Sequence, residues 1–211
     1  MDNTRCYSSD VAFIPTVKAL QTRKGSRRAY GRLEERGAWN TRITPGLAEF
    51  IAAQTSIFLA TANTEGQPYI QHRGGPAGFL RVLTENVIAF ADVRGNRQLL
   101  STGNVAANDR VALFLMDYPQ RSRLKILGHA RVIAANDDPE LATRLSVNGV
   151  GPVERLFTIE VVAFDWNCPK YITPRYTRAE VEEFAAPLRN RITELESKLS
   201  AIEAQKRELH S

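Results

Sequence analysis

The chain has 211 residues, a hydrophobic fraction of 43% and a formal net charge of +5. This length suits one domain with an added segment, and the apolar content is sufficient for a sizeable core. The charge is modest and no nucleic-acid-binding motif accompanies it, so no nucleic-acid partner is predicted. With two cysteines and three histidines in all, the sequence predicts neither a disulfide framework nor a metal site.

The sequence also predicts no membrane association. Its apolar runs are too short to cross a bilayer. Residues Met1 to Cys6 lack the basic and then apolar pattern of a secretory signal, so cytoplasmic localisation is the expectation. A basic run from Arg23 to Arg32 is interpreted as a solvated helix face and turn, with a phosphate-binding patch as the alternative.

Two helices are predicted near the start of the chain. Pro15 suits a first helical turn, and a helix to about Lys24 would end at Gly25. Thr44 can cap a second helix with Pro45 at its first position, running to about residue 54.

A region of short antiparallel strands follows, with helices inserted. The predicted strands are Ser56–Thr61, Pro68–Arg73, Gly78–Leu83, Val87–Asp92, Val111–Met116, Ser122–Ile133 and Leu156–Phe164. The nearly all-apolar strand at Val111–Met116 is expected to be buried on both faces. A helix is expected over Asp137–Val147. This pattern is typical of an α+β barrel.

Three polar runs in this region are interpreted as one anion- and ring-binding site on the barrel rim. Because strand residues alternate between faces, Gln71 and Arg73 should share one face and His72 the other. Arg121, Arg123 and Lys125 should likewise share a face.

The turn at Gly95 to Gln98 is expected to open a short helix. Asn96 is predicted to cap that helix, and Leu99 and Leu100 are predicted to point inward. Backbone amides at this helix start favour an anion.

Four cations could hold a phosphate at such a site: Arg73, Arg97, Arg123 and Lys125. The alternative is that the strand arginines pair with surface carboxylates, and spacing alone does not separate the two interpretations.

The C-terminal segment predicts a long amphipathic helix. Thr177 to Glu180 fits a capping box, and Pro187 is expected to kink or restart the helix. Apolar residues follow a heptad in two interleaved series: Val181, Leu188, Leu195, Ile202 and Leu209, then Ala185, Ile192, Leu199 and Lys206. This narrow seam favours a partner helix, from a sister chain or another protein, over packing on the chain's own barrel.

From Thr44 to about Tyr176 the sequence resembles the pyridoxamine 5'-phosphate oxidase-like family of FMN-binding split barrels. Four ordered motifs carry the resemblance: Gln71–Phe79, Gly95–Gln98 with Gly103–Asn104, Arg121–Gly128, and Trp166–Ile172. The opening from Ala12 to Arg27 is similar to one subgroup of the family.

The resemblance implies an α+β, mainly β fold: a six-stranded antiparallel split β-barrel with peripheral helices and, here, a long C-terminal helix. The implied organisation is a helical extension over 1–43, the barrel over 44–176 and the helix over 177–211. A homodimer with FMN at the subunit interface is also implied. The implied cofactor-binding residues are Gln71, His72, Arg73, Gly74, Phe90, Ala91, Asn96, Arg97, Gln98, Arg123, Lys125, Trp166 and Asn167.

The functional expectation is an FMN-dependent oxidoreductase whose substrate is unknown. No general acid or base stands out among the residues, and a flavin reductase does not need one. True pyridoxamine phosphate oxidases carry a C-terminal run of arginine and histidine that binds pyridoxal phosphate. This chain has the heptad helix at that place, so the resemblance does not predict vitamin B6 oxidation. The alternative is a non-catalytic flavin-binding or sensing module that joins a partner through its C-terminal helix. A third hypothesis is a barrel of this fold that binds haem or a deazaflavin.

Overall fold

A computed structural model describes residues 6–149, 151–166 and 168–208. The chain divides into two compact units, one running to Asp117 and resuming over Arg121–Lys170, and one formed by Tyr118–Gln120 with the residues from Tyr171 onward. None of the helices in these described ranges is long and apolar enough to span a bilayer.

The first unit contains the strands and all but one of the described helices. The strands are β1 (Ser56–Ala62), β2 (Pro68–Gly74), β3 (Leu80–Thr84), β4 (Val87–Val93), β5 (Arg110–Asp117), β6 (Ser122–Ala134) and β7 (Val153–Trp166). The helices are α1 (Pro15–Arg23), α2 (Arg27–Glu35), α3 (Pro45–Ala53), α4 (Leu100–Ala107) and α5 (Pro139–Leu145), with short 3-10 turns at Ser8–Val11 and Ala135–Asp137.

The strands form one antiparallel sheet in the order β2-β1-β5-β6-β7-β4-β3. The expected α+β, mainly β class is confirmed. The described sheet has seven strands, as the strand pattern predicted, where the resemblance implied six. The short β3 pairs with β4 alone and lies at one edge of the sheet.

The sheet curls so that its two ends approach each other. Strands β6 and β7 are long enough to belong to both halves, and their pairing shifts register between Leu127 and Gly128. Such a bulge bends a strand and increases its twist. Strand β2 stands at one end of the hydrogen-bonded order and β4 is second from the other end, and Arg73 of β2 forms an ion pair with Asp92 of β4. This contact joins the two halves as expected of a split barrel.

The main core lies inside this curled sheet and under α3. Its fully buried side chains include Ile51, Ile57, Leu59, Leu80, Ile88, Leu113, Leu115, Leu124, Ile126, Phe157 and Ile159. The expectation that β5 is buried on both faces is wrong. Val111, Leu113 and Leu115 are buried, whereas the side chains between them are only partly covered, so the strand obeys ordinary alternation.

Two predicted helix starts are confirmed by their local geometry. Pro15 and Pro45 each occupy the first turn of a helix, and the Thr44 hydroxyl accepts a bond from the Leu47 amide at 3.4 Å. Gly25 follows α1 with a φ of +74°, a conformation that glycine adopts without strain. The predicted helix over 137–147 is shorter, because Asp138 caps α5 through the Leu141 amide.

The second unit is dominated by α6 (Arg178–Glu208). The predicted capping box is confirmed: Thr177 donates its backbone N–H to a Glu180 carboxylate oxygen at 2.6 Å, and the Glu180 amide returns a bond to the Thr177 hydroxyl at 3.2 Å. The helix continues through Pro187 without restarting.

Candidate functional site

An ion triad stands at the seam where the ends of the sheet meet. Asp92 on β4 lies directly opposite Arg155 on β7 and accepts bonds from Arg155 Nε at 2.9 Å and Nη2 at 2.8 Å. The second oxygen of Asp92 accepts from Nη1 of Arg73. The Asp92 side chain is 7% exposed, so this carboxylate holds two guanidinium groups in a largely water-excluded position.

A second carboxylate extends the triad into a network. Glu154 contacts Arg155 at 3.3 Å, Arg97 at 3.2 Å and Arg94 at 3.6 Å. Four arginines therefore face two carboxylates among the described residues of this network, and two positive charges remain in excess. The alternative interpretation, that these arginines pair with carboxylates, is correct for Arg73 and Arg97. The two carboxylates nevertheless neutralise only two of the four positive charges in this network.

Two stacked phenylalanines support Arg73 from below. The rings of Phe90 and Phe157 stack with centroids 4.9 Å apart, and the Arg73 guanidinium lies 5.2 Å from Phe157 and 5.7 Å from Phe90. Phe90 is 1% exposed, so its ring serves as the floor under the guanidinium. The Nε of Arg73 is buried without a hydrogen-bond partner in the described chain, which leaves a donor available to an added acceptor.

An open cleft of about 430 Å³ lies above the triad. Its lining includes five predicted site residues: Gln71, Arg73, Asn96, Arg97 and Gln98. Gln71 and Arg73 point to the same side of β2, as alternation predicted. Gln71 is further held by a 2.6 Å bond that its amide oxygen accepts from the Ser101 hydroxyl.

The loop before α4 differs from the sequence prediction. The helix begins at Leu100, and Leu99 occupies its cap position with a φ of +58°. Arg97, within the loop, also has a φ of +58°. Asn96 does not cap the helix, because its side-chain oxygen accepts from the Gln98 amide within its own loop at 3.2 Å. Leu99 and Leu100 are exposed rather than inward-facing.

Left-handed backbone at two non-glycine residues costs about 1–3 kcal/mol each. This strain lies in the loop that presents Arg97 to the cleft. Such strain is characteristic of ligand-contacting loops, so it supports the placement of a site here.

A second cleft, of about 800 Å³, adjoins the first through Arg73, Asp92 and Gly95. It contains the predicted residues His72, Gly74, Phe90 and Ala91, and its wall is largely apolar: Phe79, Leu145, Val147 and Val153. His72 is on the opposite side of β2 from Arg73, as predicted, and its Nε2 lies 2.7 Å from the Ser56 hydroxyl. The two clefts together offer a cationic end and an apolar end.

Three other predicted residues do not line either cleft. Lys125 lies 3.6 Å from Asp165 and 5.5 Å from the ring of Trp39. Trp166 packs edge-on against Phe50 with centroids 4.8 Å apart. Arg123 shares a face of β6 with Lys125, as predicted, and its Nε is buried with no hydrogen-bond partner among the described residues. The prediction for Asn167 lies outside the described residues.

Sequence reasoning missed Arg155, Asp92 and Ser101 as site residues. Arg155 occupies the strand predicted from position 156 onward, one residue outside its expected start. Nothing local distinguishes Arg155 from a surface arginine, because its importance comes from the β4–β7 register that sets it opposite Asp92. In the part of the chain that the structure covers, no three His, Cys, Asp or Glu side chains are grouped to hold a metal ion.

The fold and these clefts define a split-barrel protein with a cationic cleft at the barrel seam. The family model described as pyridoxamine 5'-phosphate oxidase matches residues 43–154, more than half of the chain and most of both clefts. The chain belongs to this family. No curated protein matches the sequence.

Solved structures resemble the chain only distantly. A HupZ variant from Group A Streptococcus is 14% identical with a TM-score of 0.47, covering 59% of this chain and 99% of that one. An FMN-binding protein from Syntrophomonas wolfei is 12% identical with a TM-score of 0.43, covering 70% and 97%. HutZ, the heme storage protein from Vibrio cholerae, is 16% identical with a TM-score of 0.36, covering 57% and 90%. At these values the resemblances do not bear on this chain's ligand.

Proposed function

We propose that this protein is an FMN-dependent oxidoreductase of unassigned substrate. The observation that carries the proposal is the excess of two positive charges around Asp92 and Glu154, directly beside a cleft with apolar walls. A ligand with a phosphate at one end and a flat ring at the other matches that division.

Arg97 and Arg73 are the residues proposed to hold the phosphate. Arg97 is 56% exposed on its side chain and bonded to a single carboxylate, so it can turn toward an anion at small cost. Arg73 is held in place by Asp92 and the two phenylalanines, so its guanidinium is already positioned at the wall of the cleft. Gln71 and His72 would orient the remainder of the ligand. When bound, FMN supplies the hydride and electron chemistry, and the chain provides binding, orientation and access.

A homodimer is part of the proposal. Arg123 and Lys125 do not line the clefts that contain Arg73, so within one chain they do not contribute to that site. The Nε of Arg123 is buried on a partly covered face of β6 and has no hydrogen-bond partner among the described residues. In the proposed dimer, this nitrogen would donate a hydrogen bond to an acceptor at the binding site of the second chain. Small-molecule substrate would then enter between the two chains.

The first test is the visible spectrum of the purified protein before and after FMN is added and the excess is removed. Retained flavin absorbance at one FMN per chain is expected. A Soret band in its place would favour haem, and a colourless protein would reject the cofactor assignment.

The second test separates the phosphate assignment from general charge. Arg97→Ala should weaken FMN binding roughly ten- to a hundred-fold, the value of one charge-assisted hydrogen bond. Arg36→Ala removes an exposed arginine that lines neither cleft and should leave the dissociation constant unchanged. Equal affinities for the two variants would show that Arg97 does not hold the phosphate.

The exposed apolar seam of α6 favours a second candidate, a flavin-binding or sensing module that acts through a partner. Both candidates bind flavin, so turnover separates them. Steady oxidation of a reductant such as reduced nicotinamide, with any electron acceptor, would eliminate the purely non-catalytic module.

A further inference from the structure

Helix α6 carries an apolar stripe with a strict seven-residue repeat. The stripe comprises Leu188, Ile192, Leu195, Leu199 and Ile202, whose exposed fractions range from 47% to 61%. In heptad notation, Ile192 and Leu199 occupy a positions, whereas Leu188, Leu195 and Ile202 occupy d positions. A stripe confined to a and d is the seam of a coiled coil, narrower than the apolar face of a helix on a globular core.

Most residues that flank the stripe are sorted by charge. At the g positions stand Arg191 and Lys198, both cationic, and at the e positions five residues later stand Glu196 and Glu203, both anionic; the earlier e position holds Arg189. In a parallel, in-register pair, each g residue faces the e residue five positions later on the other helix. Arg191 would then meet Glu196 of a second copy, and Lys198 would meet Glu203.

An antiparallel pair of the same helices has less favourable electrostatics. There, g positions face g positions and e positions face e positions. Arg191 and Lys198 would lie among the cations of the other helix. Arg189 would attract either Glu196 or Glu203, but the other glutamate would then face an anion. Like charges that face each other at e and g positions destabilise a coiled coil in that orientation. The sequence of α6 therefore discriminates between orientations by charge.

We propose that α6 pairs with α6 of a second copy of this chain as a parallel, in-register, two-stranded coiled coil. In the single chain, Arg191 and Lys198 both contact Glu194, at 2.6 Å and 2.5 Å. Glu194 occupies a c position on the same helix, so these exposed contacts compete only weakly with pairing to a second copy. The proposal requires no bound cofactor and goes beyond the FMN assignment.

Cysteine cross-linking of the full chain tests the geometry. Cys6 and Cys168 are both exposed and are first replaced by serine to remove background oxidation. Leu199→Cys then places a thiol at an a position, where the two copies approach within disulfide range. Ser197→Cys is the matched control, because position f lies on the outer face of the pair.

Mild oxidation should convert Leu199→Cys to a species of twice the monomer mass and leave Ser197→Cys monomeric on a non-reducing gel. Equal cross-linking at both positions would overturn the proposal, because it indicates loose proximity. Absence of cross-linking at Leu199→Cys would overturn it as well, because an antiparallel pair or a different partner does not bring the two thiols together.

Charge reversal in the Leu199→Cys background tests the specificity. Glu196→Lys with Glu203→Lys should largely abolish the cross-link, and so should Arg191→Glu with Lys198→Glu in a separate chain. An equimolar mixture of these two chains should restore it, because every g–e contact in the mixed pair is again attractive. Cross-linking that is insensitive to these reversals would refute the charge-selected pairing.

Discussion

Asp92 holds the two guanidinium groups of Arg73 and Arg155 on its two oxygens. Both arginine side chains are at most 20% exposed, so neither is fully solvated if the carboxylate is lost. The free-energy cost of removing one partner from such a cluster comes mainly from the charge left behind. Asp92 is accordingly expected to be critical for stability as well as for the shape of the cleft.

Asp92→Asn should lower the free energy of unfolding by about 2–4 kcal/mol, because it leaves two partly buried arginines opposite a neutral amide. Urea denaturation monitored by circular dichroism provides the measurement. Asp109→Asn is the matched control. The Asp109 side chain is 59% exposed, and its one ion pair among the described residues is with His129. Loss of this carboxylate should therefore lower the free energy of unfolding by less than about 1 kcal/mol. Similar small losses in both variants would mean that the triad does not support the fold.

At the scale of elements, the bulge between β6 and β7 sets the bend of the sheet. Gly128 lies at this irregularity, and a Cβ built there would stand 2.3 Å from the carbonyl oxygen of Glu160. That neighbour is backbone, which cannot rotate away. The bulge therefore requires glycine for close approach of the two strands rather than for an unusual φ.

Gly128→Ala should destabilise the protein by at least about 2 kcal/mol, because the strands must separate to admit the methyl group. Gly103→Ala is the control, since Gly103 lies within α4 with open space around its Cβ and should gain about 0.4–1 kcal/mol. Thermal unfolding of the two variants gives the comparison. A harmless Gly128→Ala would indicate that the bulge tolerates side chains.

The start of α6 allows a prediction on pH. The pKa of Glu180 is lowered from its ordinary 4.5, because the Thr177 backbone N–H, and then its hydroxyl, donate to the carboxylate. A lowered pKa in the folded state means that this capping interaction is present above pH 4.5 and is lost as the pH falls through the lowered pKa. Side-chain NMR titration should place the Glu180 midpoint below 4.5.

Thr177→Ala removes the hydroxyl and leaves the backbone donor, so the Glu180 midpoint should return part of the way toward 4.5. A midpoint at or above 4.5 in the unmodified protein would contradict the observed capping geometry.

At the scale of the whole molecule, the homodimer proposal predicts complementation between defective chains. Arg97→Ala and Arg123→Ala should each weaken FMN binding roughly ten- to a hundred-fold at both sites of their homodimers. In a mixed dimer, one site lacks both arginines and the other retains both. Co-refolded mixtures should therefore recover one tight site per heterodimer, measured by fluorescence titration of FMN. No recovery would indicate that Arg123 does not serve a site on a second chain.

Much of this architecture could be predicted from short stretches of sequence. Pro15, Pro45 and the Thr177 capping box mark helix starts through local chemistry, and each is confirmed. The alternation that puts Gln71 and Arg73 on one face of β2 follows from the pleat of any strand. The heptad of α6 is equally local, since it depends only on helical periodicity.

Other features depend on which strands meet. The register of β4 against β7 sets Arg155 opposite Asp92, and closure of the sheet brings Arg73 to the same carboxylate. These partners are 19 and 63 residues from Asp92 in the chain, so no local pattern relates them. Tertiary packing also leaves Leu99 exposed and left-handed at the cap of α4, against its apolar character. The sequence by itself determined the starts of α1, α3 and α6, the side-chain alternation of β2 and the heptad, because each depends on near neighbours. Only the tertiary structure decided which charges share the cleft, because that depends on strand pairing and sheet closure.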